Sequence, residues 1–146
     1  MMYKKILVPI DGSQNSDRAA KVAVELAKIT GAKLTFIHII EPPYKYTAIT
    51  GEAPLTLSEA LLEHMEKNAD NLLAEHKKIY EDSGVAINTI REYGHVADII
   101  CSRANDDNYD LIVIGSRGLG TVKRYLLGST SDRVSHHAKC SVLIVK

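Results

Sequence analysis

The chain has 146 residues, of which 45% are hydrophobic and 25% are charged, and this composition is typical of one globular domain with a sizeable core. Its 18 basic and 18 acidic residues cancel, which excludes a general electrostatic attraction to nucleic acid or to a membrane, so any anion site must be local. Cys101 and Cys140 lie far apart behind an N-terminus that does not read as a signal peptide, and we interpret them as reduced thiols of a cytoplasmic protein.

A short apolar run at residues 6–10 predicts a central parallel strand. Asp11 follows it, at the position where open parallel sheets place groups that bind ligands. Asp11 can hydrogen-bond a ribose hydroxyl or help to hold a divalent cation, or it can simply shape the turn. A helix whose apolar stripe is largely alanine is then predicted from Ser13 or Ser16 to Thr30.

Residues 33–40 predict a second strand, in which His38 is expected to be hydrogen-bonded within the sheet and not to be a catalyst. Residues 41–55 contain three of the four prolines and predict a loop that leaves the sheet at the same edge as Asp11. This loop either covers a ligand site or is a disordered excursion, and the sequence favours neither. Thr56 has the form of a helix cap, and a long helix is predicted from there to about Glu81.

Strands and helices continue to alternate in the second half of the chain. Strands are predicted at residues 85–93, 111–114 and 141–145, a short helix at 96–104, and a last helix from just after Ser131 to about 138. Strict alternation predicts an α/β fold with one open parallel sheet of five strands and helices on both faces. Right-handed crossovers favour the strand order 3-2-1-4-5, which places the ends of strands one and four side by side.

The densest group of glycines follows the fourth strand. Its members have the spacing Gly115-x2-Gly118-x9-Gly128-Ser129. The stretch also holds Arg117, Lys123 and Arg124, and no acidic residue occurs before Asp132. Glycine lets backbone N–H groups approach a ligand closely, and hydroxyl residues can begin a helix, so the pattern predicts a site for phosphate groups. We do not assign Lys123 and Arg124 as ligands.

This spacing, after a buried strand and before a C-terminal strand, resembles the nucleotide-binding signature of the universal stress protein family, in its ATP-binding subgroup. The resemblance implies a single domain over residues 1–146 with an adenine nucleotide alpha hydrolase-like fold. Other phosphate motifs fit worse, because the chain has no Gly-Lys pair for a Walker A loop and no Gly-x-Gly-x-x-Gly.

The resemblance also implies roles for individual positions. The acidic residue Asp11 is expected beside the nucleotide, and Ile39 is expected to offer backbone groups to the adenine edge. Residues 115–118 are expected around the ribose and the α- and β-phosphates, and residues 128–130 on the β- and γ-phosphates. The predicted nucleotide-binding residues are Pro9, Ile10, Asp11, Ile39, Ile114, Gly115, Ser116, Arg117, Gly118, Gly128, Ser129, Thr130 and Ser131.

The expected ligand is ATP with Mg²⁺ or Mn²⁺ carried by its phosphates, because cations beside backbone amides complement about two negative charges. The expected function is a nucleotide-dependent switch or sensor in a stress response. The resemblance implies a homodimer joined through the last strand, whose apolar edge at residues 142–145 needs a cover. Neither nucleic acid nor a membrane is an expected partner.

Catalysis has weaker support in the sequence. Fast phosphoryl transfer needs a positioned base, a fixed metal and usually a cation, and Asp11 is the one placed carboxylate, so no catalytic residue is predicted. The alternative is a slow ATPase or another nucleotide-processing enzyme of the same architecture, although residues 11–16 read Asp-Gly-Ser-Gln-Asn-Ser and not as a pyrophosphate loop. No protein metal site is predicted, since the adjacent His136 and His137 point to different sides of a helix. An interaction protein without nucleotide is disfavoured by the glycine pattern.

Overall fold

Five parallel strands of the described chain form one sheet, with the helices packed on its two faces. The structure is a computed structural model that describes residues 2–41, 55–119 and 127–146. Its elements are β1 (Lys5–Pro9), α1 (Gln14–Thr30), β2 (Lys33–Ile40), α2 (Leu55–Ile79), a 3-10 turn (Glu81–Ser83), β3 (Ile87–Tyr93), α3 (Val96–Asp106), β4 (Leu111–Gly115), α4 (Ser129–His137) and β5 (Ser141–Val145). The predicted loop lies, from 42 to 54, outside the described residues, as do Lys123 and Arg124.

The strand order is β3-β2-β1-β4-β5, which confirms the predicted topology. β1 is the central strand, and its Ile6 is aligned with Leu34 of β2 on one side and with Leu111 of β4 on the other. Since β1 and β4 are neighbours, their carboxyl ends meet at one point of the sheet edge. This is the switch point where ligands bind in open α/β sheets.

The two faces of the sheet bury separate apolar clusters, because successive residues of a strand point to opposite faces. On one face Phe36 and its neighbours pack under α1 and α2, with Leu73 of α2 buried among them. On the other face Ile37 and Ile112 pack under α3 and α4, with Ile100 fully buried. The strands are therefore apolar on both sides, as expected for a covered parallel sheet.

Most predicted boundaries are confirmed within two residues, and the start of the last helix is the informative exception. α1 begins after Ser13, whose side-chain oxygen accepts a hydrogen bond from the N–H of Ser16 as an N-cap. α4 begins at Ser129, whereas the sequence predicted a start after Ser131. Ser131 does not cap the helix, because it lies inside the first turn, where its hydroxyl donates to the carbonyl oxygens of Ser116 and Gly128. α2 is already helical at Leu55, so Thr56 lies inside its first turn.

A buried hydrogen bond crosses the face that is covered by α3 and α4. Tyr109, just before β4, donates its hydroxyl proton to Oγ1 of Thr35 in β2 at 2.9 Å. Both side chains are almost fully buried. The bond therefore ties the segment before β4 to a strand that is not its direct neighbour in the sheet.

Removing both partners of this bond should cost less than the two single removals added together. We expect Tyr109→Phe to lower the free energy of unfolding by about 1–2 kcal/mol, because the Thr35 hydroxyl stays buried without its donor. The double variant Thr35→Val/Tyr109→Phe should lose less than the sum of the two single changes. Urea unfolding followed by circular dichroism measures these values, and Tyr3→Phe on the other face is the control. Additive losses would show that the bond contributes nothing specific.

Candidate functional site

A cleft of about 670 Å³ opens at the carboxyl edge of the sheet, above the ends of β1, β2 and β4. This volume lies in the range of about 300–1,000 Å³ that is typical of small-molecule sites. Of the thirteen predicted residues, all except Ser116 line it. The lining residues of the described chain are Pro9, Ile10, Asp11, Ser16, Ile37, His38, Ile39, Ile40, Glu41, Met65, Asn68, Val96, Ile114, Gly115, Arg117, Gly118, Leu119, Gly128, Ser129, Thr130 and Ser131.

The turn after β1 is held by its own short polar side chains. Oδ1 of Asp11 accepts a hydrogen bond from the N–H of Ser13 at 2.9 Å. The hydroxyl of Ser16 accepts from the N–H of Asp11 at 3.3 Å and donates to the carbonyl of Ser13 at 3.0 Å. These bonds hold the carboxylate of Asp11 at the mouth of the cleft.

Gly115 allows β4 to end against the first turn of α1. A Cβ atom at this position would lie 2.8 Å from the carbonyl carbon of Asn15 and 2.9 Å from its carbonyl oxygen. Distances below 3 Å to backbone atoms are not tolerated, so no other residue fits without moving one of the two elements. The close approach fixes how far the end of β4 lies from the turn that carries Asp11.

Gly118 lies beside the carboxylate of Asp11. A Cβ atom on Gly118 would stand 2.7 Å from Oδ2 of Asp11. Unlike Gly115, this residue is exposed, and among the described residues its close neighbour is the end of the Asp11 side chain. The missing side chain therefore keeps open the space between the glycine-rich segment and the turn after β1.

The N-terminus of α4 faces the cleft and is anchored from behind. The N–H of Gly128 donates to the carbonyl oxygen of Ser116 at 2.7 Å, and the hydroxyl of Ser131 donates to the same oxygen at 2.8 Å. Gly128 is the N-cap residue and offers no side-chain cap. The first N–H groups of a helix have no acceptor within the helix, so the amides of Ser129 and Thr130 are suited to bind an anion.

Ser116, one of the predicted nucleotide-binding residues, lies behind the cleft. It is buried and does not line the cleft. Its N–H donates to the carbonyl of Val145 in β5 at 2.8 Å, and its carbonyl accepts the two bonds from the α4 segment. Ser116 therefore supports the site from below, while Arg117, half-buried, and Gly118 are the residues of this segment at its surface.

The other end of the cleft is mainly apolar and contains residues that the sequence reasoning missed. Ile40, Val96 and Met65 line it together with the predicted Ile39. Ile40 and Val96 could have been found by position, because Ile40 ends β2 and Val96 begins the helix that follows β3. The carboxyl ends of parallel strands converge at this edge of the sheet. No sequence signal marks Met65, because its place depends on how α2 lies across the sheet.

Two polar residues, also missed, complete this end. Nδ1 of His38 lies 2.7 Å from the carbonyl oxygen of Ile10, which confirms the expected role of His38 as a hydrogen-bonded sheet residue. Glu41, directly after β2, accepts a hydrogen bond at Oε1 from the N–H of Val96 at 3.1 Å. The cleft therefore has a polar, amide-rich end at α4 and a largely apolar end at β2 and α3.

The two thiols of the chain lie outside the cleft. Burial raises the pKa of the thiols of Cys101 and Cys140, which disfavours their thiolate forms, and neither residue lines the cleft. No group of three or more histidine, cysteine or acidic residues that could hold a metal occurs in the part of the chain that the structure describes. Within those residues, no helix combines the length and the apolar character needed to cross a membrane.

Comparisons with known proteins give a consistent answer. A family model described as the universal stress protein family matches residues 2–146. Universal stress protein YxiE of Bacillus subtilis is 35% identical over 148 residues, covering 99% of this chain and 100% of that protein. Universal stress protein UspA from Lactobacillus plantarum superimposes with a TM-score of 0.88 at 26% identity, covering 100% and 99% of the two chains. A universal stress protein solved in complex with cAMP superimposes with a TM-score of 0.75 at 28% identity, with the same coverage.

The hydroxyl of Ser131 should stabilise the anchoring of α4. We expect Ser131→Ala to lower the free energy of unfolding by about 1–2 kcal/mol, because the carbonyl of Ser116 loses a buried donor. Ser135→Ala is the matched control, since it removes a hydroxyl that bonds to the carbonyl three residues earlier on the exposed side of the same helix. Chemical unfolding measures both variants. Equal losses would show that the bond to Ser116 is not what the hydroxyl contributes.

Proposed function

This chain belongs to the universal stress protein family, and we propose that it binds ATP in the cleft and acts as a nucleotide-dependent switch or sensor in a stress response. The observation that carries the proposal is the pairing of the α4 N-terminus with the turn at Asp11 across an open space that Gly118 leaves free. The relative solved with cAMP supports an adenine nucleotide as the ligand.

The phosphates belong at the end of the cleft formed by α4. Main-chain N–H groups at residues 129–130 point toward the anion, and the positive end of the helix dipole favours its charge. Gly118 permits a phosphate to approach the chain closely, and Arg117 lies at the same end. This binding uses mostly main-chain groups, so it depends on backbone position more than on side-chain identity.

The ribose and the base belong toward β1 and β2. Asp11 is held at the mouth of the cleft, where its carboxylate can accept a hydrogen bond from a ribose hydroxyl. Pro9, Ile10 and Ile114 provide apolar contact below the sugar, and the backbone at Ile39 faces the base. Aromatic bases gain from such apolar contact, because it removes their surface from water.

A divalent cation would be carried mainly by the phosphates. Asp11 is the carboxylate at the phosphate end among the described lining residues, and Mg²⁺ and Mn²⁺ prefer oxygen ligands. One carboxylate together with phosphate oxygens and water fits such an ion. The cation would then offset the repulsion between Asp11 and the phosphates.

Slow ATP hydrolysis is the second candidate, and the position of Asp11 is what favours it. A carboxylate beside the phosphates can orient a water molecule. However, Oδ1 of Asp11 is already engaged by Ser13, and neither His38 nor Glu41 lies at the phosphate end of the described cleft. We therefore propose binding as the main role, and incubation of the protein with ATP and Mg²⁺ for a day separates the two roles by the release of phosphate.

Gly118→Val should abolish nucleotide binding and leave the fold intact. The new side chain would fill the space in front of Asp11, while the exposed position and the unstrained backbone of Gly118 tolerate it in the free protein. We expect the Kd for ATP to rise by more than about tenfold, with a smaller rise for Gly118→Ala. Titration calorimetry measures the affinity, and mass spectrometry of denatured protein shows whether adenine nucleotide co-purifies. Asn88→Val on the exposed edge of β3 is the control, and unchanged binding by Gly118→Val would contradict the phosphate placement.

We also propose a homodimer that is joined through β5. This strand is an edge of the sheet, and Val142, Leu143, Ile144 and Val145 are only half-buried in the single chain. The opposite edge strand, β3, carries the ion pair of Arg91 with Asp70 at 2.7 Å and needs no apolar cover. Pairing of two β5 strands would remove the apolar edge from water.

The oligomeric state tests this interface directly. Sedimentation equilibrium should give twice the 16.1 kDa mass of one chain. Val142→Lys should shift the mass toward one chain, because it places like charges at the interface between the two copies. Lys21→Glu on the exposed side of α1 is the control for a change of surface charge. A wild-type protein of single mass at micromolar concentration would exclude the dimer.

A further inference from the structure

The side chain of Glu41 caps the N-terminus of α3, although Glu41 itself lies directly after β2. It follows β2, and its Oε1 atom accepts a hydrogen bond from the N–H of Val96, the first residue of α3, at 3.1 Å. His95, the N-cap residue of α3, makes no side-chain cap, and its Nδ1 lies 3.7 Å from the same oxygen. Glu41 thus supplies from another element the acceptor that this helix end lacks.

The helix N-termini at this edge of the sheet are therefore not equivalent. α3 has a protein carboxylate at its positive end, whereas α4 has Gly128 as its N-cap residue and no side-chain cap. A carboxylate stabilises a helix N-terminus and repels a second anion. A phosphate group is therefore disfavoured at α3, and this end of the cleft is left for the uncharged part of a ligand.

Glu41 and His38 bring hydrogen-bond acceptors to the α3 end, and the amide nitrogen of Asn68, which also lines the cleft, is paired with His64. An ionised carboxylate accepts but cannot donate, and Oε2 of Glu41 makes no hydrogen bond within residues 2–41, 55–119 and 127–146. A carbonyl oxygen also only accepts, so Nδ1 of His38 must donate to Ile10. In the tautomer with its proton on Nδ1, Nε2 is an acceptor.

Apolar residues surround these acceptors. Ile39, Ile40 and Val96 line the same end of the cleft as Glu41 and His38. Such a site suits a flat aromatic ring that carries a hydrogen-bond donor at its edge. A ring with a carbonyl oxygen at the same place would bring two acceptors together.

We infer that Glu41 contributes to the choice of purine, alongside the backbone of Ile39, by taking a hydrogen bond at Oε2 from the exocyclic amine of adenine. The inference rests on the proposed binding of nucleotide. Glu41 then has two roles on its two oxygens, since Oε1 holds the start of α3 and Oε2 meets the base. Purines with a carbonyl at that ring position are disfavoured because a carboxylate offers them no donor.

Inosine triphosphate separates this role from nucleotide binding in general. It resembles ATP but carries a carbonyl oxygen at the position of the amine. Titration calorimetry gives the affinities of the wild-type protein, Glu41→Gln and Glu25→Gln for both nucleotides. Glu25→Gln is the matched control, because it makes the same change of charge at an exposed residue of α1 that pairs with Lys28.

We expect the wild-type protein and Glu25→Gln to prefer ATP over inosine triphosphate by about tenfold, the loss of one charge-assisted hydrogen bond that is partly exposed to solvent. Glutamine keeps an oxygen for the N–H of Val96 and adds an amide donor for the carbonyl of inosine. Glu41→Gln should therefore lower this preference at least about threefold, and any preference that remains is assigned to N1, which accepts in adenine and donates in inosine, opposite the backbone of Ile39. A purely structural role of Glu41 would lower both affinities and leave their ratio unchanged.

The outcomes are distinct. A wild-type preference that is lowered in Glu41→Gln alone supports the assignment. An unchanged ratio in Glu41→Gln, or a wild-type protein without preference, overturns it while nucleotide binding stands. Absence of binding of either nucleotide to the wild-type protein overturns the proposed function, and the assignment of Glu41 falls with it.

Discussion

The candidate site depends on one steric constraint, the contact between the end of β4 and the first turn of α1. No side chain fits at Gly115, because Asn15 lies within 3 Å of where a Cβ atom would be. The sheet register alone would align β1 and β4 but would not set the separation of the segments that follow them. With Gly115 in contact with α1, the glycine-rich segment must leave β4 beside Asp11. The position of Gly118 beside the carboxylate of Asp11 follows from this contact.

Behind the cleft, the main-chain groups of Ser116 are hydrogen-bonded to other parts of the protein. At its surface lie the first residues of α4. The carbonyl of Ser116 receives two donors from the α4 segment, and its N–H is used by β5. Buried polar groups that are paired in this way hold the backbone in one position. A backbone held in this way would lower the entropic cost of binding a phosphate at the proposed site.

The sequence predicted the fold well because apolar runs and glycines report backbone geometry directly. Alternating strands and helices and the rule for crossovers were sufficient to place Asp11 and Gly115 at one edge. The sequence was less informative about which atoms each residue uses. Ser131 has the chemistry of a helix cap, yet its hydroxyl bonds to Ser116, and Ser116 itself turned inward. Glu41 was missed because a carboxylate that caps a helix far along the chain has no local pattern.

The bonds made by Ser116 link two regions that are otherwise separate, the outer strand and the mouth of the cleft. The N–H of Ser116 donates to the carbonyl of Val145, the last residue of β5. Its carbonyl accepts from the N–H of Gly128 at the start of α4. The outer strand and the first turn of α4 are therefore connected through two hydrogen bonds of a single residue. The dimer proposed along β5 would lie only this distance from the proposed phosphate site.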